Sequence, residues 1–172
     1  MPLHRRFHQL RNLLEVLGRE STDAMLELTV SFHGPWESER DEVSENGLRL
    51  SVRFDETTAN VGDVISCRVD AQRLEPRAYG MLIAEIGLPP GADVDRASLQ
   101  RTLSERKSGL ERYDVLPDRI VAYIWPPSGG AAFEFSFRPR LAVDAKSAPS
   151  SLYDYYNPDA AVVVPPARFR VR

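Results

Sequence analysis

The apolar pattern of this 172-residue chain predicts a mainly β protein: an antiparallel β-sandwich with one surface helix, preceded by an N-terminal amphipathic helix. Three observations carry that reading. Apolar and polar residues alternate along several short runs, as they do on a strand with one buried face. Most of the 10 glycines and 13 prolines fall between those runs, where turn geometry and missing N–H donors are tolerated. Helical spacing is confined to two places.

The first of these is the N-terminus, where Leu3, Phe7, Leu10, Leu14 and Leu17 recur at steps of four and three. Pro2 suits a first helical position and Gly18 a left-handed stop. The period then changes to two, with Leu26, Leu28, Val30 and Phe32 as a half-buried strand. Residues 37–46 hold five acids and one base with Val43 their only apolar member, a composition too polar to pack, and read as a solvated linker. The chain thus divides into residues 1–46 (helix, strand and acidic linker) and a sandwich domain over 47–172.

Within the second part, Leu48, Leu50, Val52 and Phe54 alternate, and so do Ile65, Cys67 and Val69 beyond the turn-prone Asn60-Val61-Gly62-Asp63. Residues 81–88 are apolar on both faces except Glu85, which predicts a central strand covered by the opposite sheet on one side and by a helix on the other. That helix lies within residues 93–107: Asp93 or Asp95 caps it, Leu99 and Leu103 give it a narrow apolar stripe, and Ser108-Gly109 ends it. Further strands are predicted at 119–125, 133–137, 152–156, 161–164 and 169–171. Phe54, Ile83, Ile86, Tyr123 and Phe135 are the expected buried positions.

Composition excludes several function classes. With 22 Lys and Arg against 25 Asp and Glu, the net charge of −3 lacks the concentrated basic surface that phosphate contacts require, so no nucleic-acid partner is expected. No run approaches the roughly 20 apolar residues of a membrane span. Residues 1–19 are broken by Arg5, Arg6, Arg11 and Glu15, unlike the apolar core of a signal peptide, which leaves a cytoplasmic location open for the chain as written.

Catalytic motifs are missing from the sequence: there is no Gly-rich phosphate loop, no Gly-x-Ser-x-Gly elbow and no His-Glu-x-x-His. No enzyme activity, catalytic residue or cofactor is therefore expected. His4 and His8 stand one turn apart without a third ligand and beside Arg5 and Arg6, which argues for a solvated face and no metal. The single cysteine, Cys67, alternates with Ile65 and Val69 and reads as a small core residue. Candidate protein-binding residues are of two kinds. On a strand, Tyr153 and Tyr155 share one face while Asp154 and Tyr156 share the other, and such rings serve either packing or binding. Around the short helix, Arg96, Arg101, Arg106, Lys107 and Arg112 outnumber Asp95, Glu105 and Glu111.

Two blocks carry a family resemblance. Leu152-Tyr153-Asp154-Tyr155-Tyr156-Asn157-Pro158 is a tyrosine-rich strand running into a polar turn, and Tyr79-Gly80-Met81-Leu82-Ile83-Ala84-Glu85-Ile86-Gly87-Leu88-Pro89-Pro90-Gly91 is an apolar strand running into a proline and glycine turn. In this order and separation they resemble the C-terminal receptor-binding domain of alpha-2-macroglobulin-like proteins. The resemblance covers about residues 48–172, and residues 26–36 look like the final strand of the module before it. It implies a non-catalytic interaction or structural module of a protease inhibitor of bacterial type, extracellular or periplasmic. Its partner would be a thioester-containing domain of such an inhibitor, or a second copy through the N-terminal helix. In the vertebrate relatives two lysines on the matching helix are read by an endocytic receptor; Arg101 falls near the second and Ala97 or Ser98 at the first. Arginine does not replace lysine where an acidic cage grips a point charge. The competing reading is a stand-alone ligand- or carbohydrate-binding sandwich that uses the tyrosine strand.

The thioester of those inhibitors is built from Cys-Gly-Glu-Gln, whereas Cys67 is followed by Arg68-Val69-Asp70. The purified chain should take up no methylamine and form no covalent adduct with a protease. Intact mass after incubation with each is the check, and an adduct on any glutamine or on Cys67 contradicts the expectation.

Overall fold

The computed structural model describes residues 47–74, 80–105, 108–125 and 130–172. The expected N-terminal helix, the strand at residues 26–32 and the acidic linker lie outside the described residues. In chain order the elements are β1 (Leu48–Phe54), β2 (Thr58–Ala59), β3 (Ile65–Arg73), β4 (Leu82–Gly87), β5 (Ala92–Val94), α1 (Arg96–Ser104), β6 (Leu110–Val115), β7 (Arg119–Ile124), β8 (Gly130–Pro139), β9 (Val143–Lys146), β10 (Ser150–Asp154), β11 (Ala161–Val164) and β12 (Arg168–Val171). They form a four-stranded sheet in the order β1-β3-β8-β5, a five-stranded sheet in the order β11-β10-β4-β7-β6, and a three-stranded sheet in the order β2-β12-β9. Every pairing is antiparallel except β2 with β12. Among the described residues, the mainly antiparallel sandwich with one short helix is the fold the sequence predicts for this part of the chain.

Alternation explains the core. Leu48 and Leu50, then Ile65, Cys67, Val69 and Ala71, then Phe133, Phe135 and Phe137 point inward from the larger part of one sheet, and all are buried. Leu82, Ala84 and Ile86 with Ile120, Ala122 and Ile124 answer from the other. The three-stranded sheet closes one end through Phe169, whose ring lies 4.9 Å from Phe54 and 6.1 Å from Phe137 in edge-to-face arrangements. Such geometry adds to what area burial alone supplies.

Ile83, Ile86 and Phe135 are buried as expected, whereas Phe54 and Tyr123 are only half-buried. Phe54 ends an edge strand, and Tyr123 stands on the outer face of its sheet. β4 is indeed the central strand, but the helix does not lie over it. Instead α1 packs against β8 and β6. Ile83 is sealed from water by its cross-strand neighbours Tyr153 and Tyr123.

The helix takes over where β5 stops pairing with β8. Ser98 Oγ accepts the Ser136 amide at 3.0 Å and Thr102 Oγ1 donates to the Glu134 carbonyl at 2.8 Å, so two hydroxyls satisfy backbone groups of β8 that would otherwise form an open edge. Asp95 is the N-cap, its Oδ1 accepting from the Ala97 amide at 3.0 Å, while Asp93 pairs with Arg140. The helix ends at Ser104, earlier than Ser108-Gly109, because Glu105 turns to an extended conformation and donates back to Thr102. Strands β2, β5, β6 and β9 are additions to the predicted set; each is short or carries charge on its exposed face.

Gly87 is a position of close approach: a Cβ there would overlap the Ala148 carbonyl, and the Gly87 amide donates to Ser150 Oγ at 2.9 Å. Gly87→Ala should therefore destabilise the fold although alanine suits a strand better than glycine. Phe135→Ala should cost about 3–5 kcal/mol through the cavity it leaves. Urea denaturation of both variants tests this, and a loss under about 1 kcal/mol in Phe135→Ala would mean that the inward face is misassigned.

Candidate functional site

The inward positions are filled, so chemistry must be sought on the outer faces and at the ends. Cys67 is buried and unpaired by any disulfide. Burial, then Asp55 and Glu134, push its thiol well above the ordinary range, which leaves it an inert core residue. Among the described residues no group of three His, Cys, Asp or Glu side chains could hold a metal, and no helix is long and apolar enough to cross a membrane.

The outer face of the five-stranded sheet is different. Pairing aligns Tyr153 of β10 with Ile83 of β4, Ile83 with Tyr123 of β7, and Tyr123 with Arg112 of β6, whose guanidinium sits 5.1 Å from the Tyr123 ring centre. One step along the same ladder, the Tyr155 amide donates to the Met81 carbonyl at 3.0 Å and the Trp125 amide to the Gly109 carbonyl at 2.9 Å. Strand alternation places Tyr155, Met81 and Trp125 beside the first row. Tyr155 is 50% exposed and Trp125 48% exposed. Large aromatic area is thus presented to solvent at one end of a sheet whose other face is closed.

Paired charges brace this surface. Arg119 reaches Glu85 at 2.6 Å and Asp118 at 2.8 Å, Arg112 reaches Asp114 at 3.0 Å, and the Tyr153 hydroxyl lies 3.4 Å from Glu85 Oε1. Partial burial, then the charge of Glu85 and its hydrogen bond, raise the Tyr153 phenol above its ordinary value. The folded state therefore favours the neutral phenol: its contribution is intact below about pH 10 and is lost as the pH rises through the elevated value.

At the end of the sheet, Asp154 points inward and meets Arg73 of the other sheet at 2.8 Å, with side-chain exposures of 10% and 9%. Asp154 Oδ1 also accepts the amides of Tyr156 at 2.8 Å and Asn157 at 3.2 Å. This bend overturns the expectation that Tyr156 shares a face with Asp154. The chain turns outward at Tyr155, so Tyr156 is 70% exposed and its ring packs edge-on against Tyr155 at 5.1 Å.

Tyr153 and Tyr155 therefore stand together, whereas Arg101 stands apart. Arg101 lies on α1, 71% exposed and 4.0 Å from Asp95, beside a shallow groove that also involves Val64, Ser66, Thr102, Glu105 and Glu134. β10 is three strands from β6, the nearest strand of its sheet to α1, so roughly 15 Å of sheet separates the two sets. Arg106 and Lys107 lie outside the described residues. Tyr123, Trp125 and Met81 were not singled out from sequence as binding residues, and Arg112 was grouped with the helix charges, whereas pairing sets it against Tyr123; their signal is register across three strands, which no local pattern contains.

Comparison with known proteins places this geometry. The family described as the A-macroglobulin receptor binding domain matches residues 77–164, just over half of the chain. Native Escherichia coli alpha-2-macroglobulin spanning domain MG7 to the C-terminus superposes with a TM-score of 0.64 at 11% identity, over 78% of this chain and 25% of that one. The native conformation of the E. coli protein gives 0.62 at 12% identity, over 80% and 10%, and its elastase-activated form 0.61 at 12%, over 75% and 13%. At these identities the likeness concerns the fold, and this chain spans a quarter or less of each structure. No curated protein sequence matches it.

Replacing Glu85 with Gln should lower the Tyr153 titration toward that of free tyrosine, because one of its causes is a carboxylate charge. Ultraviolet absorbance at alkaline pH, with Tyr153→Phe as the blank, reads the shift; an unchanged Tyr153 curve would remove Glu85 from the network.

Proposed function

Because the chain belongs to the alpha-macroglobulin receptor-binding domain family, we propose that it acts as a non-catalytic interaction module of a protease inhibitor of that class, extracellular or periplasmic. The observation that carries this reading is the aromatic outer face of the five-stranded sheet. Trp, Tyr, Met and Arg are the residues enriched where proteins meet, and a few such side chains supply most of the binding energy. Tyr153, Tyr155 and Trp125 are the central contacts in this reading, and Arg112 is held over Tyr123 at the rim. The partner is a thioester-containing domain of the same inhibitor. Arg101 forms a second, peripheral protein contact on the helix side, and Arg106 and Lys107 follow it in the sequence.

A rigid sheet suits such a role, because little backbone entropy is lost when its side chains are already fixed by cross-strand neighbours. A carbohydrate ligand is the second reading, favoured by exposed rings with a polar border, a setting that suits a hydroxyl-rich molecule.

Isothermal titration against the thioester-bearing domain encoded nearest to this chain is the test. Binding should weaken at least tenfold in Tyr155→Ala and in Trp125→Ala, and by less in Arg101→Ala. Full affinity in both aromatic variants would reject the surface. Absence of protein binding, with uptake of a soluble β-glucan that the same variants abolish, would decide for the carbohydrate reading.

A further inference from the structure

The ion pair beneath the tyrosine turn is poorly suited to stability alone. Arg73 and Asp154 are each about nine-tenths buried, and Arg73 keeps Nε and Nη2 buried with no hydrogen-bond partner among the described residues. Interior charges carry a desolvation penalty that a well-packed apolar pair of similar volume avoids. Asp154 is nonetheless used in two directions. Oδ2 takes the Arg73 guanidinium from β3, in the four-stranded sheet, while Oδ1 accepts the amides of Tyr156 and Asn157, where the chain leaves the five-stranded sheet. Gly80 adjoins the same cluster: a Cβ built there would lie 3.5 Å from Tyr156 Cδ2, 3.7 Å from Arg73 Nη2 and 3.7 Å from Asp154 Oδ1. The tyrosine ring, the guanidinium and the carboxylate thus converge on one point of the backbone.

We infer that Asp154, held in place by Arg73, is a positioning residue for the docking surface, fixing the direction in which Tyr155 and Tyr156 leave the sheet. Both oxygens of Asp154 are oriented by the fit: turning the carboxylate to improve one set of bonds breaks the other. Without that acceptor the turn amides lose their partner, and the exposed rings, packed edge-on against each other, lose the bend that aims them. This inference rests on the docking function proposed above, and its structural half can be measured independently of any partner.

Two double variants isolate the acceptor. Arg73→Met with Asp154→Leu removes both charges and the acceptor, whereas Arg73→Met with Asp154→Asn removes the charges and keeps an oxygen where Oδ1 stands. Hydrogen exchange by NMR should show the Tyr156 and Asn157 amides at least tenfold faster in the leucine variant and close to wild type in the asparagine variant, with β4 and β7 unchanged in both. Titration against the thioester-bearing domain should follow the same order, weakened at least tenfold by leucine and restored by asparagine. Equal exchange at Tyr156 and Asn157 in the two variants would overturn the inference, and so would wild-type binding by a leucine variant whose turn has loosened. If Tyr155→Ala and Trp125→Ala both bind normally, it is the docking surface that fails, and the exchange data still decide the role of Asp154. Asp154→Leu alone, compared with Asp154→Asn alone, makes the same distinction should a double variant fail to fold.

Discussion

Everything in this structure depends on the pairing of β3 with β8, the strand pair at the middle of the four-stranded sheet. Its register sets Ile65 against Phe137, Cys67 against Phe135 and Val69 against Phe133, so three phenylalanines and three smaller apolar groups enter the core together. A slip by one residue would send all of them to solvent and bring Ser66, Arg68, Asp70, Glu134 and Ser136 inside. The burial cost of those polar groups makes the alternative register untenable. Once this pair is fixed, β1 has one apolar edge to join, β5 and α1 share the other, and the opposite sheet has a surface to cover.

The second sheet inherits the constraint and turns it into a surface. Its inward residues are small or branched: Ala84 and Ala122 lie between Leu82, Ile86, Ile120 and Ile124. Its larger rings are on the other face. The pleat alone places Tyr123, Tyr153, Tyr155 and Trp125 outward, and register gathers them around Ile83 and Met81. The two arginines of that face meet three carboxylates, Glu85, Asp114 and Asp118, so what the sheet offers a partner is aromatic area with a polar border that is acidic on balance. Screening limits the value of the exposed pairs, whose contribution is to orient side chains.

The two sheets are joined at that end by Arg73 and Asp154. Two further carboxylates have comparable local tasks: Asp55 Oδ1 accepts the amides of Glu56 and Ser66 at 2.8 Å each, and Asp63 Oδ2 those of Asn60. Only Asp154 combines such turn-forming bonds with an ion pair from the opposing sheet among the described residues. Burial raises its proton affinity, but the Tyr156 amide, Arg73 and the Asn157 amide outweigh that and hold it below the usual carboxylate range. Its contribution is thus present above about pH 4 and is lost as the pH falls through the lowered value.

By itself the sequence determined the elements that bury one face. Leu48 to Phe54, Ile65 to Val69, the Phe133, Phe135 and Phe137 run and an aspartate cap at Asp93 or Asp95 were legible because each is a local pattern of side chains against water, and the structure decided for Asp95. The tyrosine strand and the apolar block at Met81 also carried the family. The rest was settled only by tertiary structure. Strands β6 and β9 are charged edge segments whose pairing is backbone-driven, so their sequences hold little periodicity. The helix moved from β4 to the edge of β8 because two hydroxyls, Ser98 and Thr102, had backbone groups to satisfy there. Tyr153 and Tyr155 could be named from sequence, but their union with Tyr123, Trp125 and Arg112 could not. Ile83 becomes the neighbour of Tyr123 and of Tyr153 through strand register, a long-range relation that propensity and periodicity along the chain do not encode.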